Sequence, residues 1–216
     1  MRRYLILTGG SVDFPSASVF MKKNCYTTAI AVDGGMNAAK KLDIIPDYCV
    51  GDFDSVDPDV YRYFQSIKGI RWEQHLPEKD ETDTELAIRL ALETGAEEIH
   101  IFGATGTRLD HTFANMGLLE IPMRKKIPCW LVDGHNQITM INSDITVRKE
   151  DSFGKYLSLL PYSDKVTGVT LKGLKYPLEN YTFVKGNSLG VSNEITEEQA
   201  EIRIKSGELL LIMSKD

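Results

Sequence analysis

Two carboxylates one residue apart, Asp52 and Asp54 in the stretch Gly51-Asp52-Phe53-Asp54-Ser55, offer the clearest chemistry in the chain. They follow the short apolar run 48–50. In extended backbone successive side chains alternate sides, so Asp52 and Asp54 are expected to project together while Phe53 turns back toward the core. Two carboxylates in one small space repel, and one tends to keep its proton unless a divalent cation lies between them. A hard, oxygen-liganded ion such as Mg2+ suits such a pair. The same residue types also make ordinary solvated turns. A loop at 78–85 brings two more carboxylates, Asp80 and Asp83, which either join the first pair around the same metal or form a solvated lid.

A second loaded stretch is Gly103-Ala104-Thr105-Gly106-Thr107-Arg108-Leu109-Asp110-His111. Its glycines let backbone N–H groups surround an anion near a helix start, and Arg108 adds a forked donor for phosphate oxygens. No Gly-Lys-Ser or Gly-Lys-Thr follows, so it is not a Walker A loop. Arg108 and Asp110 also suit a local ion pair. Asp110 with His111 suits a ligand pair, an acid–base pair, or an N-cap and its first-turn neighbour. His75, His100 and His135 lack metal-ligand spacing with any cysteine, which argues against zinc.

Several elements must hold these loops in place. Residues 4–8, 28–32, 48–50, 72–76, 99–102 and 129–132 read as strands. Helical stretches at 15–24, 36–42, 57–67, 82–94 and 112–120 lie between them. Asp57-Pro58 has the form of an N-cap with proline at the first helical position, and Thr82-Asp83-Thr84-Glu85 that of a capping box closed by Gly95. Strands alternating with helices at this interval predict a mostly parallel, Rossmann-like α/β sheet over residues 1–134. Ligands of such sheets sit at the carboxyl ends of the strands. There the chain carries Gly9-Gly10, Asp33-Gly34-Gly35, Asp52 with Asp54, Asp80 with Asp83, and the loop from Gly103. Five strand ends loaded with glycine, carboxylate or both are the main evidence for a site.

Beyond residue 134 the texture changes to short, often alternating runs at 138–142, 145–149, 156–160, 165–171, 181–184, 201–205 and 209–213. Residues 196–200 offer at most a helical turn, and Lys205-Ser206-Gly207-Glu208 reads as a tight hairpin turn. Residues 135–216 are therefore expected to form a small all-β domain, a sandwich or barrel.

The composition fits a globular protein of 216 residues, with 42% hydrophobic and 26% charged residues. A net charge of -6 argues against a duplex nucleic-acid binder. Cys25, Cys49 and Cys129 are odd in number, widely spaced and set in apolar surroundings, which predicts reduced core thiols. No stretch has the length of a signal peptide or membrane span, and a cytoplasmic protein is expected.

Taken jointly, a set of motifs resembles the thiamine pyrophosphokinase family. These are Asp33-Gly34-Gly35, Pro46-Asp47, Gly51 to Ser55, Asp80 with Thr82-Asp83, Gly103 to His111 with Asn115, Gly173-Leu174-Lys175-Tyr176, and Ser192-Asn193. The resemblance runs in order from about residue 30 to residue 193. It implies an α/β catalytic domain that binds ATP and Mg2+, a β-sandwich domain that helps bind thiamine, and a homodimer with sites at the subunit interface. It implies transfer of a diphosphoryl group from ATP, as co-substrate, to the hydroxyl of thiamine. On that resemblance Asp52, Asp54, Asp80 and Asp83 hold metal, and Asp54 or Asp83 accepts the proton. Arg108 holds phosphate, braced by Asp110 and His111. Asp33, Gly34, Gly35, Thr82, Gly103 and Thr105 attend the nucleotide, and Tyr176, Ser192 and Asn193 the thiamine. The acidic loops taken by themselves leave two alternatives open: a phosphotransferase or nucleotidyltransferase with another acceptor, and a nucleotide- or thiamine-sensing module without turnover.

Overall fold

The computed structural model describes residues 1–74 and 80–216. The expected end of the fourth strand at Leu76, and residues 77–79 of the charged loop, lie outside the described residues. The chain divides into two compact units, Met1–Gly134 and His135–Asp216.

In the first unit the strands are β1 (Arg3–Leu7), β2 (Thr28–Val32), β3 (Tyr48–Gly51), β4 (Arg71–Gln74), β5 (Glu98–Phe102) and β6 (Cys129–Val132). All pair in parallel, in the order β6-β5-β1-β2-β3-β4. Apart from β4 they are nearly continuous apolar runs buried along their length, as parallel strands covered on both faces must be. Strand β4 is the edge, and three of its four residues are exposed. From β1 the chain proceeds one way to β2, β3 and β4, then returns to the other side of β1 for β5 and β6. The topological switch point therefore lies between β1 and β5.

Helices α1 (Phe14–Lys23), α2 (Gly35–Lys41), α3 (Pro58–Gln65), α4 (Asp83–Glu93), α5 (Leu109–Leu118) and α6 (Glu120–Arg124) connect the strands. Their starts follow local chemistry. Asp57 caps α3 by accepting from the Asp59 amide at 2.8 Å, with Pro58 next in line. Thr82 caps α4 by accepting from the Glu85 amide at 3.2 Å, but Glu85 turns its carboxylate to Arg89 instead of completing the box. Beneath the sheet's working end a polar chain is fully satisfied: Tyr26 OH meets His100 Nδ1 at 2.8 Å, His100 Nε2 meets Glu98 at 3.1 Å, and Arg3 donates to Glu98 at 2.7 Å. Burial opposes ionisation of Glu98, yet the His100 and Arg3 partners keep its carboxyl below the usual range. His100 is thereby committed to the core. Cys49 and Cys129 are buried as expected, and burial pushes the Cys49 thiol up to about 12. Cys25, by contrast, is exposed, because it lies in the connection after α1 rather than in a strand.

The second unit contains two antiparallel sheets. One runs β12 (Asn193–Glu194), β9 (Tyr156–Pro161), β14 (Leu209–Ser214) and β7 (Asn136–Ile141); the other runs β11 (Leu178–Val184), β10 (Lys165–Lys172), β13 (Gln199–Arg203) and β8 (Ile145–Arg148). Alternate residues such as Leu157, Leu159, Leu209 and Leu211 from the first and Val166, Val169, Phe183 and Ile202 from the second are buried, the pattern of a β-sandwich. Two expectations fail here. Residues 199–200 begin β13 instead of ending a helical turn. Lys205 to Glu208 is not a hairpin turn, because β13 pairs with β10 and β8 while β14 pairs with β7 and β9; the segment carries the chain from one sheet to the other. Turn residues look alike in both roles.

Candidate active site

A cavity of about 750 Å³ opens at the carboxyl ends of β1, β2, β3 and β5. On one side it is lined by backbone and small side chains: Gly9, Gly10 and Ser11 after β1, and Gly103 to Thr107 after β5. These two loops are joined across the switch point, since the Gly10 amide donates to Gly103 O at 2.9 Å and the Ser11 amide to Thr105 O at 3.0 Å. The β5 loop is also tied from outside. Asn115 donates to Ala104 O at 2.8 Å and Thr105 donates to Asp133 at 2.9 Å. Helix α5 starts at the cavity and presents Arg108, His111, Thr112 and Asn115 to it. A glycine-rich wall beside a helix start suits an anion.

The opposite wall is acidic, with Asp33, Asp52 and Asp83 all lining the cavity. Asp33 is the hub. Its Oδ1 accepts from the Phe53 amide at 3.1 Å, and the Asp83 carboxyl lies within hydrogen-bonding reach. Burial pushes the Asp33 carboxyl up to about 7; the Phe53 N–H opposes the rise, while the like charges of Asp83 and Asp52 add to it. Room for this carboxylate depends on Gly51, whose φ is +137°: a Cβ there would lie 1.8 Å from Asp33 Oδ1.

Asp52 and Asp54 do not follow the extended alternation expected of them. The chain leaves β3 at Gly51 and turns, with Phe53 at φ +67° and the Asp54 amide donating to Asp52 Oδ1 at 3.1 Å. Asp52 faces the cavity, Asp54 is exposed beside it, and Phe53 packs half-buried against Tyr61 and Trp72 instead of entering the core. Asp80 is exposed and does not line the cavity. Among the described residues no three His, Cys, Asp or Glu side chains are arranged to hold a metal ion.

The remaining residues singled out in the sequence divide clearly. Thr82, Gly103 and Thr105 line the cavity. Gly35 does not: a Cβ there would lie 1.9 Å from Leu7 O, so this glycine serves the close approach of α2 to β1. Gly34 donates its amide to Ser55 Oγ at 3.0 Å. Asp110 is a first-turn residue of α5, not its N-cap, and pairs with Arg108 at 2.5 Å. The Arg108 bond holds the Asp110 carboxyl below its usual range. Nothing in the sequence signals a role for Ser11, Glu81 or Thr112, which line the cavity, and Ser55 is marked there only as the end of the acidic stretch.

In the second unit Tyr176, Ser192 and Asn193 come together. Asn193 is buried and spends its amide on backbone, accepting from Tyr176 N at 3.0 Å and donating to Tyr176 O at 2.9 Å. Ser192, at φ +59°, donates its amide to Ser158 Oγ at 2.9 Å. Tyr176 and Ser192 are the exposed members, beside an ion-paired Lys175 and Glu194 at 3.0 Å.

A parallel sheet whose switch point opens on a glycine-rich wall facing a carboxylate cluster defines the class of α/β domains that handle phosphorylated ligands. Comparison with known proteins narrows the class. Residues 21–131 match the thiamin pyrophosphokinase catalytic domain, and residues 142–211 match the thiamin pyrophosphokinase vitamin B1 binding domain. The thiamine pyrophosphokinase of Bacillus subtilis (strain 168) is 34% identical over 191 residues, which cover 88% of this chain and 89% of that relative. A crystal structure of thiamine pyrophosphokinase from Bacillus subtilis superposes over 100% of both chains with a TM-score of 0.90 at 31% identity. That of thiamin pyrophosphokinase from Geobacillus thermodenitrificans covers 100% of this chain and 98% of its own, with a TM-score of 0.85 at 31% identity. The chain belongs to the thiamin pyrophosphokinase family.

Proposed function

We propose that this chain transfers the diphosphoryl group of ATP to the hydroxyethyl oxygen of thiamine, giving thiamine diphosphate and AMP. The observation that carries the reading is the cavity at the switch point, with its glycine-rich wall facing Asp33, Asp52 and Asp83, in a chain whose two units match the two domains of one family. Its volume of about 750 Å³ suits a nucleotide-sized ligand.

In this reading the unit Met1–Gly134 is the catalytic, nucleotide-binding domain. The Gly9-Gly10 and Gly103–Thr107 loops and the start of α5 surround the phosphates. Arg108, held by Asp110, donates its forked N–H groups to phosphate oxygens, and His111 and Thr112 flank it. Thiamine's oxygen forms a bond to the β-phosphorus while the bond from that phosphorus to the α,β-bridging oxygen breaks. AMP leaves with that oxygen, and the hydroxyl proton passes to Asp54 or Asp83.

The donor set fits Mg2+: Asp33, Asp52, Glu81 and Asp83 line one cavity, and beyond the effect of burial the like charges of Asp83 and Asp52 help to raise the Asp33 pKa, a repulsion that a hard cation relieves. Asp52 and Asp83 would hold it, with Asp54 and Asp80 from the flanking loops. Bound there, Mg2+ supplies neutralisation of the charge that develops on the phosphate oxygens.

The unit His135–Asp216 is assigned to thiamine, with Tyr176 and Ser192 as its exposed contacts and Asn193 holding the Tyr176 backbone in place. We further assign a cytoplasmic location and a homodimer with sites at the subunit interface. The exposed apolar pair Leu109 and Phe113, one turn apart on α5, supports the dimer, and no helix among the described residues is long and apolar enough to cross a membrane.

The test is incubation of purified protein with ATP, Mg2+ and thiamine and chromatography of the products. Thiamine diphosphate and AMP in equal amounts are expected. Asp54→Asn should lower turnover by about a hundredfold or more with the unfolding midpoint unchanged, since Asp54 is exposed. A fully active Asp54→Asn protein contradicts the role given to that carboxylate.

A further inference from the structure

The residue between the two carboxylates of the acidic turn adopts a backbone conformation that a bulky side chain rarely takes. Phe53 lies at φ +67°, and its amide is committed to Asp33 Oδ1 at 3.1 Å. Its ring completes a triangle of aromatics. Phe53 and Trp72 lie 5.2 Å apart at 77°, Tyr61 and Trp72 5.4 Å apart at 76°, and Phe53 and Tyr61 5.7 Å apart at 41°. The three rings come from three elements, the turn after β3, helix α3 and edge strand β4. Each is half-buried, and with Gln65 and Gln74 they line a shallow cleft of about 540 Å³. None of the rings lines the larger cavity.

An aromatic triangle on the open edge of a parallel sheet is not needed to cover that sheet, because its neighbours on β4 are exposed. Its strongest connection is to the turn. Trp72 is held in register opposite Cys49 by the β3–β4 ladder, so its ring is anchored independently of the turn it touches. Relaxing Phe53 to a negative φ would swing the flanking carboxylates and pull its ring out of its edge-on contact with Trp72, which is directional, and out of its tilted contact with Tyr61.

We propose that Tyr61 and Trp72 are positioning residues for the phosphoryl-transfer site: by gripping the Phe53 ring they fix the left-handed turn that aims Asp52 and Asp54 relative to Asp33. The inference rests on the reading of that turn as part of the transfer site. It gives a purpose to two aromatic side chains that touch no part of the cavity.

The test combines kinetics with fluorescence. Trp72→Ala should lower kcat on the order of ten- to a hundredfold, as a small misplacement of reacting groups does, with KM for ATP little changed and the protein folded at assay temperature. Trp72→Phe, which keeps a ring, should recover most of the rate. Phe53→Ala combined with Trp72→Ala should lose no more than either alone, because both act through one contact. Trp72 and Trp130 are the two tryptophans, so in a Trp130→Phe background Trp72 reports by itself. There Phe53→Ala should make Trp72 more accessible to acrylamide without any ligand present. Wild-type kcat in folded Trp72→Ala, multiplying losses in the double variant, or an unchanged Trp72 signal each overturns the proposal. A wild-type protein that makes no thiamine diphosphate contradicts the functional reading instead, and the fluorescence arm still decides whether the rings hold the turn.

Discussion

Asp33 accepts a hydrogen bond from an amide twenty positions along the chain while two other carboxyls crowd it. The sign of its effect on stability follows from its pKa. Asp33 ordinarily ionises at 3.8 and in the folded chain at about 7, so between those values the folded state holds a proton that the unfolded state has lost. This contribution is fully present below the lower value and disappears as pH rises through the upper one. The depressed carboxyls, Glu98 among them, act in a different window, losing their contribution as pH falls below the usual carboxylate range. From about pH 5 to about pH 8 the wild-type unfolding midpoint should therefore fall relative to that of Asp33→Asn, measured without metal or nucleotide. Parallel profiles would contradict the burial of this carboxyl. Sequence pattern identified Asp33-Gly34-Gly35 as worth notice but not as the hub, because the bond to Phe53 and the proximity of Asp83 are long-range. The same limit applies to Asp52 and Asp54, whose extended alternation fails at the positive φ of Phe53.

At the scale of elements, features set by neighbours in sequence were legible. Strands β2 and β6 fall where their apolar runs stand, and α3 and α4 begin at the capping residues Asp57 and Thr82. What escaped depends on partners. Lys205 to Glu208 has hairpin chemistry, yet the strands on either side belong to different sheets. Asp110 has the form of a cap, yet its carboxylate is taken by Arg108. Helix α3 illustrates how an element is held: Phe64 is its one buried residue, with no exposed surface. Phe64→Ala should cost about 3–5 kcal/mol, read as a lower denaturant midpoint. A change below about 1 kcal/mol would show that α3 is anchored elsewhere.

For the whole molecule, the change in texture near residue 134 coincides with the division at Gly134 and His135, because a helix-and-strand period gives way to an alternating one and two kinds of core result. The apolar pair on α5 bears on assembly. Phe113 is 69% exposed and Leu109 65%, and they share a helix with the cavity residues His111 and Thr112. If they meet a second copy of the chain, Phe113→Asp should shift sedimentation from dimer toward monomer and lower activity with it. An unchanged dimer would remove α5 from the interface.

In the proposed reaction thiamine's oxygen attacks the β-phosphorus of ATP. The most direct measurement uses thiamine carrying oxygen-18 in its hydroxyl, with mass analysis of both products. The proposed reaction predicts the label in thiamine diphosphate, retained as the bridging oxygen, with unlabelled AMP formed in equal amount. Thiamine monophosphate with ADP would contradict it by placing attack at the γ-phosphorus, and labelled adenylyl-thiamine with release of pyrophosphate would contradict it by placing attack at the α-phosphorus.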